Sequence, residues 1–510
     1  MSIDTDPQAD ESSSIVQRHR SASEEVLPSN LTHYIGGEWV ESNSSETIET
    51  RDPATGEVLA EVPAGNATDI DRAVDAAQSA FETEWSGYSP GERQRVLSEI
   101  ADAVEANRET LATLEVLDTG KTITEAMGDI GVVLDHLRYN AAAARMVTGE
   151  TVPTDDMFDR EKQVLTIREP YGVVGGIVPW NFPLMIAIWK LGPALAAGNT
   201  IVLKPSEETP LSILKFVELV DGIVPDGVVN VVTGYGDDAG APLSEHSDVH
   251  KLSFTGSTEV GKEIVRNSID TVTKTTLELG GKSPVIIYPD ADIEEAVEIA
   301  MMAIFFNKGE FCAAGSRIFV HEDIKDEFLD AYAEAAAGLE LGDPLLEETD
   351  MGPKVSPEQV ERTSGYVEAA REGDGTIVTG GQTPDDGELE TGSFYEPTII
   401  DGLDHDHQSV QEEIFGPVVE TFGWTDEDEA IEMANDTDYG LASGVVTNNI
   451  TKALRTARRL EAGVVWVNHY NDASAGQPFG GYKQSGQGRE NAMEAIDEYT
   501  QTKAININLG

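Results

Sequence analysis

Short runs of β-branched and other apolar residues alternate with helical patterns in the middle of the chain. The runs lie at residues 201–203, 228–232, 251–254 and 275–279. Because strands that alternate with helices form βαβ units, this order predicts a parallel sheet. A second block of the same kind runs from a strand at 284–288 to another at 317–320, so the pattern indicates two α/β domains.

Helix-start signals precede the first block. Thr68 with Asp71, and Ser89 with Glu92, place a hydroxyl and a carboxylate at the spacing of a helix cap, ahead of periodic apolar runs. We therefore expect helices that begin at these positions. Residues 1–29 are instead rich in Ser, Asp and Glu, which predicts an acidic disordered tail.

A stretch without charged residues runs from Pro170 to Trp189 and is long enough to span a membrane. Its three prolines and three glycines would leave backbone groups unsatisfied in lipid, so we predict buried core and active-site lining instead. The tail contains no basic segment followed by an apolar one, and we predict no secretory signal.

The charge of the chain restricts its partners. Its 510 residues include 93 acidic and 34 basic ones, which gives a net charge of −59. Such a field repels phosphate backbones and anionic lipids, which argues against nucleic-acid and membrane partners and favours a small substrate. We hypothesise a salt-rich cytoplasm that screens the carboxylates; an acidic protein of an ordinary cytoplasm is the alternative.

Cys312 is the single cysteine and cannot form an intramolecular disulfide, which fits a reducing, cytoplasmic location. A lone cysteine is most often an inert buried hydrophobe. However, Gly309, Ala313 and Gly315 leave space beside the sulfur for a reacting carbon, so a nucleophile is the second interpretation. Glu278, which ends a predicted strand beside two glycines, is either a general base or a solvated strand end.

Segment 256–262 follows a predicted strand and approaches the P-loop of ATPases. Glu263 stands where a hydroxyl would hold magnesium, which weakens the ATPase alternative. The start of a helix here still favours a dinucleotide pyrophosphate. His405 and His407 alternate with aspartates in a pattern more typical of solvated surface than of a metal site, and we predict no metal.

Several separated motifs occur together in a fixed order. They are residues 179–183, 204–207, 254–257, 278–281, the loop around Cys312, 412–417 and the series 480–490. In these motifs, from about residue 34 to the C-terminus, the chain resembles the aldehyde dehydrogenase superfamily, specifically its NAD(P)-dependent, non-acylating branch. The resemblance implies an α/β fold of two Rossmann-like parallel-sheet domains with a small oligomerisation element.

The resemblance implies a catalytic set. Cys312 would attack the aldehyde carbon, and the Asn181 amide with the Cys312 backbone N–H would hold the oxyanion. After hydride transfer, Glu278 would activate the water that hydrolyses the thioester. Lys190 and Glu490 match positions that relay the proton outward, although a structural ion pair is the alternative.

The cofactor implied is NAD, with NADP possible. Lys204 and Glu207 match the pair that holds the adenosine ribose, where a carboxylate repels the 2′-phosphate of NADP. Further matching cofactor positions are Trp180, Gly256, Ser257, Gly261, Leu279, Glu413 and Phe415. The substrate tunnel would be lined by Phe182, Trp189 and Phe479, whose rings suit apolar aldehydes and also the trimethylammonium group of betaine aldehyde.

Domain limits also follow from the resemblance. Residues 30–149 and 171–280 would form the NAD-binding domain, and 281–484 the catalytic domain. Residues 150–170 and 485–510 would join subunits into a homodimer or homotetramer. A catalytically inactive family member that binds NAD or serves a structural role is the remaining alternative.

Overall fold

The computed structural model describes residues 14–153, 155, 161–385, 387 and 389–509. The helices are α1 Ile15–Val26, α2 Ala67–Thr83, α3 Pro90–Ala106, α4 Arg108–Thr119, α5 Ile123–Ala143, α6 Pro183–Ala197, α7 Leu211–Val220, α8 Ala241–Glu245, α9 Thr258–Asn267, α10 Ile293–Phe305, α11 Glu322–Ala337, α12 Pro357–Glu372, α13 Gln408–Gln411, α14 Glu427–Asn435, α15 Ile450–Ala457 and α16 Ala492–Glu498. The strands are β1 His33–Ile35, β2 Glu38–Val40, β3 Thr47–Arg51, β4 Val58–Pro63, β5 Thr151–Val152, β6 Lys162–Pro170, β7 Val173–Ile177, β8 Thr200–Lys204, β9 Val229–Val231, β10 Lys251–Thr255, β11 Lys274–Glu278, β12 Pro284–Ile287, β13 Arg317–His321, β14 Thr376–Thr379, β15 Thr398–Asp401, β16 Val418–Trp424, β17 Ala442–Val446, β18 Val464–Val467, β19 Gly486–Gln487 and β20 Thr500–Asn508.

The first sheet has eight strands in the order β19-β11-β10-β7-β8-β9-β1-β2. Its five central strands, β11 to β9, are parallel, which confirms the predicted parallel sheet. The chain passes from β7 to β8 on one side and later returns to β10 on the other side of β7. At such a switch point a crevice opens at the carboxyl ends of the strands, where α/β proteins bind ligands.

The second sheet has seven strands in the order β14-β15-β16-β13-β12-β17-β18. All neighbours are parallel except the β14–β15 pair. The second predicted α/β block is therefore confirmed. The link from β11 to β12, residues 279–283, connects the two sheets and passes beside the cysteine loop.

A third, small sheet has the order β20-β6-β5. The terminal strand β20 pairs along its whole length with β6, from Thr500 opposite Pro170 to Asn508 opposite Lys162. It lies at the edge of this sheet, and Ile505 and Leu509 at its outer end are exposed.

Helix α1 corrects the predicted disordered tail. Residues 15–26 are helical, and the buried side chains of Ile15, His19 and Val26 attach this helix to the body of the protein. The polar composition of the segment gave no indication of its apolar face or of its buried, ion-paired histidine. The earlier part of the predicted tail, 1–13, lies outside the described residues.

The two predicted helix starts have different outcomes. Ser89 and Glu92 form the predicted capping box of α3. The start predicted at Thr68 is wrong by two residues, because Asn66 caps α2 and pairs reciprocally with Asp69. Asn accepts a backbone N–H as well as Thr does, so the local sequence offered two registers.

The uncharged stretch that the sequence analysis assigned to the core contains strand β7 and the first half of helix α6. Every residue of Pro183–Ala197 is buried. None of the described helices combines the length and the apolar character needed to cross a membrane.

Candidate active site

Cys312 lies in the loop between α10 and β13, half-buried, immediately after a tight turn at Phe306–Gly309. Gly281 passes so close that a Cβ there would collide with the Cys312 carbonyl oxygen. Burial raises the pKa of the Cys312 thiol, and the carboxylates of Glu413 and Glu278 raise it further, while the backbone N–H groups of Cys312 and Ala313 act in the opposite direction. The loop therefore holds a neutral thiol with amide dipoles beside it.

Glu278 is the last residue of β11 and is 2% exposed. Neither of its carboxylate oxygens has a hydrogen-bond partner among the described residues. Burial, with the nearby charge of Glu490, raises its pKa well above the usual range, and Lys190 and Arg489 offset only part of this effect. The alternative of a solvated strand end is therefore wrong. A buried carboxylate without a partner is costly, and such groups are characteristic of functional sites.

Asn181 follows β7 and is 4% exposed. Its side-chain amide donates to the Glu310 carbonyl oxygen at 2.9 Å, two residues before Cys312. Asn307 donates to the same carbonyl at 3.0 Å and to the Asn181 carbonyl at 3.3 Å. These bonds fix the Asn181 amide next to the cysteine loop.

Lys190 and Glu490 form a buried ion pair, with Nζ and Oε1 3.1 Å apart. The lysine also donates to the hydroxyls of Ser253 at 3.0 Å and Thr255 at 2.9 Å. Ser253 donates to Glu490 Oε1 at 2.8 Å, while Glu490 Oε2 has no partner among the described residues. The pair lies close enough to Glu278 to influence its pKa.

Cys312 and Glu278 share the wall of a cavity of about 850 Å³. The three predicted tunnel residues, Phe182, Trp189 and Phe479, line the same cavity. Trp189 packs on Phe479 with ring centroids 5.3 Å apart. Further walls come from residues that the sequence analysis did not single out, namely Met185, Phe305, Phe306, Phe311 and Trp466. They come from four separate elements, and no local spacing signal connects them.

Four of the predicted cofactor residues lie at the carboxyl edge of the first sheet. Lys204 ends β8 and pairs with Glu207, Nζ to Oε2, at 3.0 Å. Ser257 caps α9 by accepting from the Val260 N–H. Gly261 approaches Leu279 so closely that a Cβ would lie 2.5 Å from its side chain. A half-exposed carboxylate, a helix start and a close strand-to-helix approach suit a dinucleotide that crosses this edge.

Three other predicted cofactor residues, Glu413, Trp180 and Phe415, lie between the two sheets. Glu413 Oε1 accepts the Gly281 N–H at 2.9 Å, and burial raises the Glu413 pKa to about 7. Trp180 contacts Phe415 edge to face, with ring centroids 5.1 Å apart. Because Gly281 also touches the cysteine loop, Glu413 and Cys312 flank one point of the chain. The predicted cofactor and catalytic residues therefore meet at residues 280–281.

A thiol and a buried carboxylate share one cavity, beside a crevice at a switch point of the kind where α/β proteins bind ligands. Sequence comparison then gives the family. Residues 39–505 match the Aldehyde dehydrogenase family, and the chain belongs to it.

Known proteins similar to this chain span nearly its full length. The protein DhaS of Bacillus subtilis is 46% identical, over 93% of this chain and 95% of that protein. The structure of an aldehyde dehydrogenase of Bacillus cereus as its NAD⁺ complex is 44% identical with a TM-score of 0.92, over 97% of this chain and 99% of that one. Betaine aldehyde dehydrogenase of Staphylococcus aureus in complex with NAD⁺ is 41% identical with a TM-score of 0.93, over 96% and 97%.

Proposed function

We propose that the protein oxidises an aldehyde to its carboxylic acid with NAD as the hydride acceptor. The observation that carries the proposal is the shared cavity, which brings Cys312 and the buried, unpartnered Glu278 onto one wall. Membership of the aldehyde dehydrogenase family supports the reaction class.

The first half of the reaction is assigned to Cys312. The thiol gives its proton to solvent water, and the sulfur attacks the aldehyde carbon. The oxyanion of the resulting thiohemiacetal needs two hydrogen-bond donors. Asn181 is held beside the cysteine loop, and the Cys312 backbone N–H is the second donor. NAD, when bound, would supply the hydride acceptor, and the acyl group would remain on the Cys312 sulfur as a thioester.

The second half of the reaction is assigned to Glu278. Water attacks the thioester carbonyl, the C–S bond breaks, and Glu278 takes the proton of the water. This role needs a carboxylate that binds a proton more readily than an exposed one does, and burial raises the pKa of Glu278 in that direction. The Lys190–Glu490 pair is proposed to carry the proton onward.

NAD is the proposed cofactor, and the residues present fit it. Lys204 and Glu207 would hold the adenosine ribose, Gly256 and Ser257 the pyrophosphate side, and Glu413 the nicotinamide ribose. The half-exposed Glu207 carboxylate would repel a 2′-phosphate, so NAD is preferred to NADP. Two of the similar structures contain NAD⁺, which agrees with this preference.

The charge of the cavity suggests the substrate class. The charged residues in the described part of its lining are all acidic, namely Glu125, Asp129, Glu278, Glu347, Asp350 and Asp472. Behind the wall, the Lys121 ammonium is neutralised by Asp129 at 2.5 Å and Glu115 at 3.4 Å. We therefore propose that neutral and cationic aldehydes, betaine aldehyde among them, are preferred to aldehydes that carry a carboxylate.

Two experiments test the function. NADH absorbance with benzaldehyde and propanal in molar KCl should rise for the wild type and stay flat for Cys312→Ala. If the wild type binds NAD but forms no NADH with any aldehyde, the alternative of a catalytically inactive family member is favoured. For the substrate class, kcat/KM should be higher for betaine aldehyde and for its neutral isostere 3,3-dimethylbutanal than for succinic semialdehyde. A higher kcat/KM for succinic semialdehyde than for the other two aldehydes would overturn the proposed substrate class.

Subunit association is a separate proposal. The outer edge of β20 has no strand partner among the described residues, and its exposed apolar side chains Ile505 and Leu509 suit a neighbouring subunit. We propose a homodimer or homotetramer joined here. Light scattering should give a multiple of 54.9 kDa, and a fully active monomer would contradict it.

A further inference from the structure

One face of the neighbouring strands β10 and β11 is polar although it lies inside the protein. Parallel strands covered on both sides are normally apolar on both faces, and burying polar groups costs free energy. Here the same face carries Lys251, Ser253 and Thr255 on β10, and Lys274, Thr276 and Glu278 on β11. Apart from Lys274, each of these residues is 8% exposed or less. We call these six residues the polar column, and the burial of five of them needs a functional explanation.

The inner end of this polar column is the proposed base of thioester hydrolysis, Glu278. Next to it, Thr255 and Ser253 accept hydrogen bonds from Lys190, and Ser253 donates to Glu490. The ion pair proposed to carry the proton away from Glu278 therefore lies on the polar column.

Lys251 is the next residue of the polar column and is fully buried. Since alternate residues of a strand share a face, its side chain projects on the side of Ser253. Its Nζ donates to the Thr276 hydroxyl at 2.9 Å and lies 5.4 Å from the centre of the Tyr499 ring. No carboxylate of the described residues lies within ion-pairing distance of this amine, so the nitrogen is not committed to one charged partner.

The outer end of the polar column reaches solvent. Lys274 is exposed and pairs with Glu498, Nζ to Oε2, at 3.6 Å. Lys251 thus stands between a buried ion pair near the candidate base and an exposed ion pair at the surface.

We propose that Lys251 is a positioning residue of the hydrolysis step, acting on Glu278 through Glu490 by passing the released proton towards the Lys274–Glu498 pair. The inference rests on the proposed function. Each hydrolysis breaks an O–H bond of water and the thioester C–S bond and forms a C–O bond, and the water proton starts on Glu278. The proton then moves to Glu490 and through the hydroxyls of Ser253 and Thr276, which lie opposite each other on the two strands, to the neutral Lys251 amine. Water carries it from the resulting ammonium group to Glu498 and solvent.

The electrostatic surroundings allow this exchange near neutral pH. Burial lowers the pKa of Lys251 to about 7; the carboxylates of Glu498 and Glu490 raise it, and the ammonium groups of Lys274 and Lys190 lower it. These charged groups face Lys251 from α16, from the segment before α16, from β11 and from α6. Both protonation states are therefore populated at pH 7.

Two substitutions separate proton transfer from a structural role. Lys251→Gln keeps a neutral donor for Thr276, and Lys251→Arg keeps a permanent cation, but neither side chain can gain and lose a proton near pH 7. The acyl-enzyme is formed with benzaldehyde and NAD, and its decay is followed by intact-protein mass spectrometry from pH 6 to 9. Lys215→Gln, at a lysine of α7 that pairs with Glu218, is the matched control.

We expect both Lys251 variants to form the acyl-enzyme at the wild-type rate and to hydrolyse it at least about tenfold more slowly. The wild-type inflection near pH 7 should be lost in both, while Lys215→Gln behaves as the wild type. Hydrolysis at the wild-type rate in either variant would overturn the inference. A neutral hydrogen-bond donor (Gln) or a permanent cation (Arg) at position 251 would then suffice. Failure of both variants to form the acyl-enzyme would also overturn it, and failure of the wild type would refute the proposed function itself.

Discussion

His19 attaches helix α1 to the body of the protein through two aspartates that are distant in sequence. Its Nδ1 lies 2.6 Å from Asp52 Oδ2 and its Nε2 lies 2.9 Å from Asp343 Oδ1. Arg18 adds a second ion pair to Asp343, also at 2.6 Å. The side chains of His19, Asp52 and Asp343 are each 2% exposed. This geometry predicts a pH-dependent contribution to stability.

The sign follows from the histidine pKa. Burial opposes the charged ring, but the hydrogen bonds to Asp343 and Asp52 outweigh it and raise the pKa from 6.5 to about 9. A raised folded-state pKa gives stability that is fully present below pH 6.5 and is lost as the pH rises through about 9. The difference between the two pKa values corresponds to about 3 kcal/mol.

The assay compares wild type with His19→Gln by chemical unfolding at pH 6 and at pH 9.5, at one KCl concentration. The stability difference between the two proteins should be about 3 kcal/mol larger at pH 6 than at pH 9.5. Comparing this difference at the two pH values removes the titration of groups that both proteins share. An equal difference at both pH values would refute the assignment of a charged His19.

Three other predictions concern the site and the solvent. Asn181→Ala should lower kcat about 10²- to 10³-fold with unchanged NAD affinity and melting temperature, since Asn307 still occupies the Glu310 carbonyl; an unaffected kcat would exclude Asn181 from oxyanion binding. Glu207→Gln should lower the NAD-to-NADP ratio of kcat/KM, and an unchanged ratio would remove Glu207 as the discriminating group. The melting temperature should rise from low to molar KCl because salt screens the net charge of −59, and a flat curve would contradict the salt-rich interpretation.

The sequence analysis correctly predicted features that depend on residues close together in the chain. The capping box of Ser89 and Glu92 involves residues three apart, and the strand at 274–278 ends where the apolar run ends. The membership of the family followed from motifs rather than from physics, and the same motifs named Asn181, Glu278 and Glu413, which the structure brings close to the cysteine loop.

Features that depend on distant pairing could not be predicted from local patterns. Helix α1 is attached through Asp52 and Asp343, and the second lies 324 residues from His19. Lys190 and Glu490 are 300 residues apart. The alternative of a solvated Glu278 stayed open for the same reason, since its burial is produced by elements far away in the chain. Lys251 resembled an ordinary strand residue until the fold placed it on the same strand face as Ser253, which bonds to the Lys190–Glu490 pair.

The proposed roles of Cys312 and Glu278 are tested most directly by a rapid-mixing measurement on Glu278→Gln, which keeps the size of the side chain and removes the base. We expect a burst of one NADH per active subunit, followed by a steady state about 10²-fold or more below the wild type. Mass spectrometry should find the acyl group on the peptide that contains Cys312. Wild-type turnover in this variant, or an acyl group on any other residue, would contradict these roles.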